Sequence, residues 1–191
     1  MSDNLAYQEE FWEEMIGGKV VAMSPRPAFN HNRVASRIYW VFETYLKGKP
    51  CTAIADGTDL YLTEEDRFVP DVMVVCDRDK IRRDGVHGAP DLVVEVLSPS
   101  TMRNDRMHKK EVYQACGVRE YWLVDPENRT IEQYLLQDGK LELNMVYASC
   151  RDDELERMSE QEKAELETHF QCSLYSDFDI ALEDIFSGLL P

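Results

Sequence analysis

Two acidic residues stand where a carboxylate is expensive. Asp71 lies between Val69-Pro70 and Val72-Met73-Val74-Val75, and Glu95 lies within Leu92-Val93-Val94-Glu95-Val96-Leu97. Both stretches are short and rich in valine, as strands buried on at least one face are. An ionised carboxylate in such a run is costly unless something pairs with it. A metal ion is one such partner.

At 191 residues the chain is long enough for one domain with a substantial core, whereas a division in two would leave each half small. A single domain over residues 1–191 is expected. The apolar fraction of 43% is ordinary and no apolar run approaches the ~18 residues of a membrane span. Met1-Ser2-Asp3-Asn4 lacks a basic-then-apolar signal pattern, so a soluble cytoplasmic protein is expected. The five cysteines, Cys51, Cys76, Cys116, Cys150 and Cys172, are scattered without a CxxC pair and are read as reduced thiols. The four histidines, His31, His87, His108 and His169, lack structural-zinc spacing. A net charge of −16 is the wrong sign for holding nucleic acid by general phosphate attraction. The acid is concentrated at 150–169, and basic residues gather at 78–83 and 103–110, so a local basic face stays open.

Gly17-Gly18 breaks the chain ahead of an expected strand, Lys19 to Met23, and Ser24-Pro25-Arg26-Pro27 ends it. From Asn30 the apolar positions Val34, Ile38, Val41, Phe42 and Tyr45 recur at helical spacing, which predicts an amphipathic helix over 30–46. Strands are expected at 58–62, 68–76 and 92–97, with a charged loop at 77–88. A helix over 104–116 stops at Gly117. A strand at 120–124, a turn at Asp125-Pro126-Glu127-Asn128 and a returning strand at 130–136 form a hairpin. A further strand is read at 144–148, an acidic segment with a thin apolar stripe at 150–169, and a tail at 180–190 that packs back. The order is helix, three strands, helix, strand, a mixed α/β pattern.

Hydrolysis of a phosphodiester with Mg²⁺ uses carboxylates to hold the cation, which polarises a phosphoryl oxygen and activates water. Asp71 and Glu95 on adjacent strands, the carbonyl of Val96 and a lysine from the following helix would supply that chemistry. Lys109 is the candidate lysine, with Tyr113 and Gly117 following at spacings of four.

From about Glu14 to Asp125 the chain resembles the Uma2 or DUF820 branch of the PD-(D/E)XK nuclease superfamily. The resemblance rests on Gly18-Lys19-Val20-Val21-Ala22-Met23-Ser24-Pro25 with His31 beyond it, on Val69-Pro70-Asp71, and on Gly88-Ala89-Pro90-Asp91-Leu92-Val93-Val94-Glu95-Val96-Leu97-Ser98-Pro99-Ser100. It continues through Lys109, Tyr113, Gly117-Val118 and Glu120-Tyr121-Trp122-Leu123-Val124-Asp125-Pro126. It implies a restriction-endonuclease-like αβββαβ core, a mixed central sheet flanked by helices with extra N-terminal strands, a divalent metal on Asp71 and Glu95, and DNA as substrate. The superfamily lysine lies two residues after the glutamate, where this chain has Leu97; either the role has moved to Lys109 or the site is impaired.

Plainer readings exist for each residue. Asp71 beside Pro70 is ordinary turn chemistry, Glu95 suits a solvent-facing position in an alternating strand, and Asp105 four residues before Lys109 makes a helix-surface ion pair. His31 at the start of the first helix suits a local hydrogen bond, Asp91 suits strand entry, and Glu14 suits a structural partner or a distant third carboxylate. Trp40, Tyr113, Tyr121 and Trp122 are read as core and not as base-stacking platforms. Ser98 and Ser100 lack an accompanying His/Asp arrangement. The expected protein is a Mg²⁺- or Mn²⁺-dependent DNA endonuclease, with Asp71, Glu95 and Val96 on the metal, and Lys109 and His31 assisting. A homodimer without membrane association is expected. The rival is a non-catalytic nuclease-fold interaction or regulatory module.

Overall fold

The structure, a computed structural model, describes residues 13–22 and 27–190. The lead-in at Phe11-Trp12 and most of the turn at 24–27 lie outside them. In chain order the elements are β1 (Glu13–Ile16), β2 (Lys19–Ala22), α1 (Phe29–Leu46), β3 (Thr52–Ala55), β4 (Leu60–Tyr61), β5 (Arg67–Phe68), β6 (Val72–Val75), β7 (Ile81–Arg82), β8 (Gly85–His87) and β9 (Leu92–Val96). Then come α2 (Met102–Asn104), a π-helical turn (Asp105–Lys109), α3 (Lys110–Cys116), β10 (Glu120–Asp125), β11 (Thr130–Gln137) and β12 (Lys140–Ala148). The chain closes with α4 (Asp152–Arg157), α5 (Glu160–Ala164), β13 (His169–Gln171), β14 (Asp179–Ala181) and α6 (Leu182–Phe186).

The central sheet runs β12-β11-β10-β9-β6-β3 and is mixed, with β9 and β10 parallel and the other neighbours antiparallel. Read as α1, β3, β6, β9, α2–α3, β10, this is an αβββαβ core as expected, but its first strand is β3; the strand expected at 58–62 is β4, in a second sheet. Successive side chains on a strand face opposite ways, and both faces of the central strands are covered. Val72, Val74, Leu92, Val94 and Val96 pack with Val34, Ile38 and Phe42 of α1, and with Ile185 and Phe186 of α6. Met73, Val75, Val93 and Leu97 pack with Tyr113 of α3, and with Leu60, Phe68 and Val86 of a second sheet ordered β2-β1-β5-β4-β8-β7. Double coverage is why these strands read as unbroken apolar runs.

Several expectations change. The predicted strand over 68–76 is two strands in different sheets: Phe68 ends β5, Val72 opens β6, and Pro70, without an N–H to donate, breaks the ladder between them. Asp71 therefore sits in the bend where the chain changes sheets and not at a strand start. β3 was not foreseen, the 77–88 loop carries a 3-10 turn (Arg78–Lys80) and the hairpin β7–β8, and the acidic segment makes two short helices. The tail does pack back, through α6 against α1. Trp40 is not core: it is 67% exposed on the outer side of α1. The cysteines are not all thiols either. The β3–β6 register pairs Thr52 with Val75, so Cys51 and Cys76 meet just beyond it and are joined as a disulfide.

The C-terminal segment is fastened by a buried carboxylate. Glu120 on β10 accepts hydrogen bonds from Trp122 Nε1 (2.6 Å) and Gln133 Nε2 (2.7 Å), and from the N–H (2.8 Å) and hydroxyl of Ser173. Full hydrogen bonding is what allows a carboxylate to remain in a dry interior.

Candidate active site

β6 and β9 pair antiparallel with Val72 opposite Val94. One step further in that register sets Asp71 opposite Glu95, and opposed residues in an antiparallel pair share a face. The shared face is the one covered by α2–α3 and the second sheet, because Val93 and Leu97, two residues either side of Glu95, belong to that cluster. Asp71 and Glu95 open into one cavity of about 520 Å³, whose wall also includes Glu14, His31, Asp105 and Lys109.

Each group is aimed by a different element. Asp71 Oδ2 accepts the Val96 N–H at 2.7 Å, which turns the bend toward β9. Glu14, on β1, accepts the Val69 N–H at 2.9 Å and so anchors the second sheet against the strand crossing. The helix contributes Asp105, Lys109 and Tyr113, spaced by four along one face. Within its π-helical turn the Asp105 carbonyl accepts a hydrogen bond from the Tyr121 hydroxyl at 3.0 Å, so the widened turn leaves that group satisfied.

Lys109 is 3% exposed and lies at the centre. Its ammonium is 2.9 Å from Glu14 Oε1, 3.2 Å from Glu95 Oε1 and 3.3 Å from Asp105 Oδ1. Tyr113 donates to the same Glu95 oxygen at 2.6 Å. The helix-surface reading of the Lys109–Asp105 pair and the solvent-facing reading of Glu95 both fail on burial, since Asp105 is 1% and Glu95 3% exposed. Asp91, by contrast, does serve strand entry: it accepts the Cys76 N–H at 2.8 Å.

Three carboxylates, Glu14, Glu95 and Asp105, thus share one ammonium, and Asp71 lies in the same cavity outside its contact. Burial pushes Glu95 well above the usual carboxylate range even though Lys109 pulls it down, and burial likewise raises Asp105. Asp71 is raised by burial to about 7, against the lowering effects of the Val96 N–H and Lys109. Burial alone would lower Lys109, but the charges of Glu95, Glu14 and Asp105 outweigh it and hold the ammonium above its ordinary range. His31 is lowered by loss of solvent, so its ring at 3.6 Å from Asp71 Oδ1 is a neutral polar neighbour and not half of an ion pair.

The donor set fits a divalent cation. Mg²⁺ takes hard oxygen ligands, commonly one or two carboxylates with waters completing the shell. The pocket holds more carboxylate than its one lysine can neutralise, and both buried oxygens of Asp105 lack a well-formed hydrogen bond. Asp71 and Glu95, with Val96 beside them in the wall, are the residues that would hold the ion. Among the described residues no three His, Cys, Asp or Glu side chains converge as ligands, so main chain and water would have to complete the shell.

Comparison with known proteins gives the family and the fold. The Uma2 profile, described as "Putative restriction endonuclease", matches residues 3–168. The chain belongs to the Uma2 family. An "Uncharacterized protein" of Synechocystis sp. is 30% identical over 127 residues, covering 65% of this Uma2 chain and 66% of the relative, just under two thirds of its length. A crystal structure described as "a putative nuclease belonging to DUF820" from Anabaena variabilis superposes with a TM-score of 0.68 at 20% identity, covering 92% of this chain and 89% of that one. That likeness shows that the Uma2 protein shares the mixed-sheet fold of that structure. No helix among the described residues is long and apolar enough to cross a membrane.

Sequence reasoning named Asp71, Glu95, Val96, Lys109 and His31, and all five line the cavity. It left out Glu14 and Asp105 as site residues, and Tyr113 as a partner of Glu95. Asp105 was detectable, because it shares with Lys109 and Tyr113 the spacing of four that singled out the lysine.

Proposed function

We propose that this Uma2 protein is a divalent-metal-dependent endonuclease that hydrolyses DNA phosphodiester bonds in the Asp71–Glu95 cavity. The observation that carries the reading is the convergence of two carboxylates, one from the bend that leads into β6 and one from the neighbouring β9, on one sheet face beside a buried lysine, in a pocket with excess acid. Mg²⁺ or Mn²⁺, when bound, supplies Lewis-acid polarisation of the phosphoryl oxygen and a lowered pKa for water.

The chain's own residues supply the rest. Asp71 and Glu95 hold the cation, and the Val96 N–H and Tyr113 hydroxyl fix their orientation. Lys109 offsets the carboxylates' mutual repulsion; its three carboxylate neighbours make it a charge-balancing and positioning group ahead of a phosphate contact. Neutral His31 beside Asp71 can take a proton from water in the cavity. The proposal includes a single functional unit, a cytoplasmic location and a homodimer, because cutting both strands of a duplex takes two sites.

A non-catalytic nuclease-fold module is the second reading. It is favoured by Leu97 at the position where the superfamily pattern has lysine, and by the complete enclosure of Lys109.

Plasmid and single-stranded DNA should be cut with Mg²⁺ or Mn²⁺ and not with EDTA, and Asp71→Asn and Glu95→Gln should each lower the rate by at least about 100-fold. Cleavage that survives both substitutions rules this site out.

A further inference from the structure

Trp40 exposes two thirds of its surface and Phe29 just over half, on a helix that otherwise buries its apolar residues. Phe29, Arg33, Ser36 and Trp40 fall at i, i+4, i+7 and i+11, one stripe of α1, with Arg37 along its side. These residues border a shallow hollow of about 580 Å³ that Asp184 closes on one side. Arg37 Nη1 donates to the Asp184 carbonyl at 2.8 Å, which fixes the guanidinium, while its buried Nε has no partner.

The charge around the stripe is unlike that of the rest of the chain. Asp and Glu make up 37 of 191 residues, yet none occurs between Glu14 and Glu43, a span that contains Lys19, Arg26, Arg33 and Arg37. An acidic protein thus keeps α1 free of acid as far as Glu43, past the whole stripe, and places arginines between exposed aromatic rings. The same helix begins at the cavity: Pro27, Ala28 and His31 line the candidate active site, and Phe29 starts the stripe.

We infer that the outer stripe of α1 binds single-stranded DNA, stacking bases on Phe29 and Trp40 and pairing phosphates with Arg33 and Arg37. This deepens the nuclease reading and rests on it for the choice of DNA. Exposed aromatic rings between cations are what unpaired bases and their phosphates recognise, whereas bases in a duplex are already stacked. From Phe29 to Trp40 the helix rises about 16 Å, the length of about five stacked nucleotides. A second copy of the chain suits the surface less well, since an isologous contact sets a patch against itself and here would bring arginines toward arginines.

The test is fluorescence anisotropy of a labelled 15-nucleotide oligo(dT) and of a duplex of the same length, in EDTA at several salt concentrations. The single strand should bind more tightly than the duplex. Trp40→Ala should weaken single-strand binding about tenfold and Trp40→Phe should retain most of it, because stacking needs a ring of any kind. Arg33→Ala should weaken binding and flatten its salt dependence. Unchanged binding by Trp40→Ala overturns the inference, as does preference for the duplex or the absence of single-strand binding in the parent. Dissociation of a dimer by Trp40→Ala with unchanged strand binding also overturns it and identifies a second copy as the occupant. Adding Mg²⁺ separates the two claims: single-strand binding without cleavage defeats the nuclease reading alone, and cleavage that ignores Trp40→Ala and Arg33→Ala defeats the stripe alone.

Discussion

Replacing Lys109 with methionine keeps most of the volume and removes the one ammonium among the carboxylates. At an effective dielectric of 20, contacts of 2.9, 3.2 and 3.3 Å are each worth about 5 kcal/mol before any cost is counted. Burying the ions costs several kcal/mol apiece, so the gross figure is far above the net one. Removing one partner from a buried ion cluster strands the others, and the expected loss is about 3–5 kcal/mol, a large share of an ordinary domain's 5–15 kcal/mol. The loss should depend on pH. Lys109 is raised in the fold, so its own contribution is complete below the unfolded lysine value and constant from pH 5 to 8. Asp71, Glu95 and Asp105 are raised carboxylates: the folded state holds protons that the unfolded chain has released, so stability falls as pH climbs from the unfolded carboxylate range toward the folded values. For Asp71, moved from 3.8 to about 7, that decline amounts to about 4 kcal/mol once pH exceeds 7. Without Lys109 the carboxylates rise further, and the decline in Lys109→Met should be steeper than in the parent. Urea unfolding followed by circular dichroism at pH 5, 6.5 and 8 measures both effects. A deficit below about 1 kcal/mol at pH 8, or one equal at pH 5 and 8, refutes the claim that this ammonium holds the carboxylates together.

Two further outcomes follow from features away from the cavity. Glu120→Ala should cost about 3 kcal/mol or more, because the buried donors of Trp122, Gln133 and Ser173 lose their acceptor; limited proteolysis should then cut near Ser173 in the variant and spare the parent. Thiol titration of denatured, unreduced protein should find Cys116, Cys150 and Cys172 alone, with Cys51 and Cys76 reacting only after reduction.

The core was legible because its physics is local or nearly so. β9 and β10 are apolar runs bounded by Pro or Gly and a turn, and α1 carries its apolar residues at helical intervals, which is what double coverage and one-sided burial impose. Asp71 and Glu95 stood out for the same reason, as charges inside those runs. Glu14 was opaque because its contact with Lys109, 95 residues further along the chain, exists only after a separate sheet folds over the strand crossing. The Cys51–Cys76 pairing needed the register of β3, a strand too short to announce itself. Trp40 was misread as part of the regular apolar pattern: it falls off the stripe defined by Val34, Ile38 and Phe42, and the helical angle decides its exposure.

The π-helical turn at Asp105–Lys109 has a consequence for how such a protein could be lost or altered. A widened turn accommodates one residue beyond the α-helical repeat, and each residue of an α-helix advances the side chains by 100°. Deleting Arg106, Met107 or His108 would restore a regular helix while leaving its two ends close to the same angle about the axis, because the turn already stores the extra residue. Lys109 and Tyr113 could then keep their places against Glu95 with Asp105 three residues away instead of four. A one-codon deletion inside the turn is therefore a change the cavity can absorb, whereas the same deletion in α3 would turn Tyr113 away.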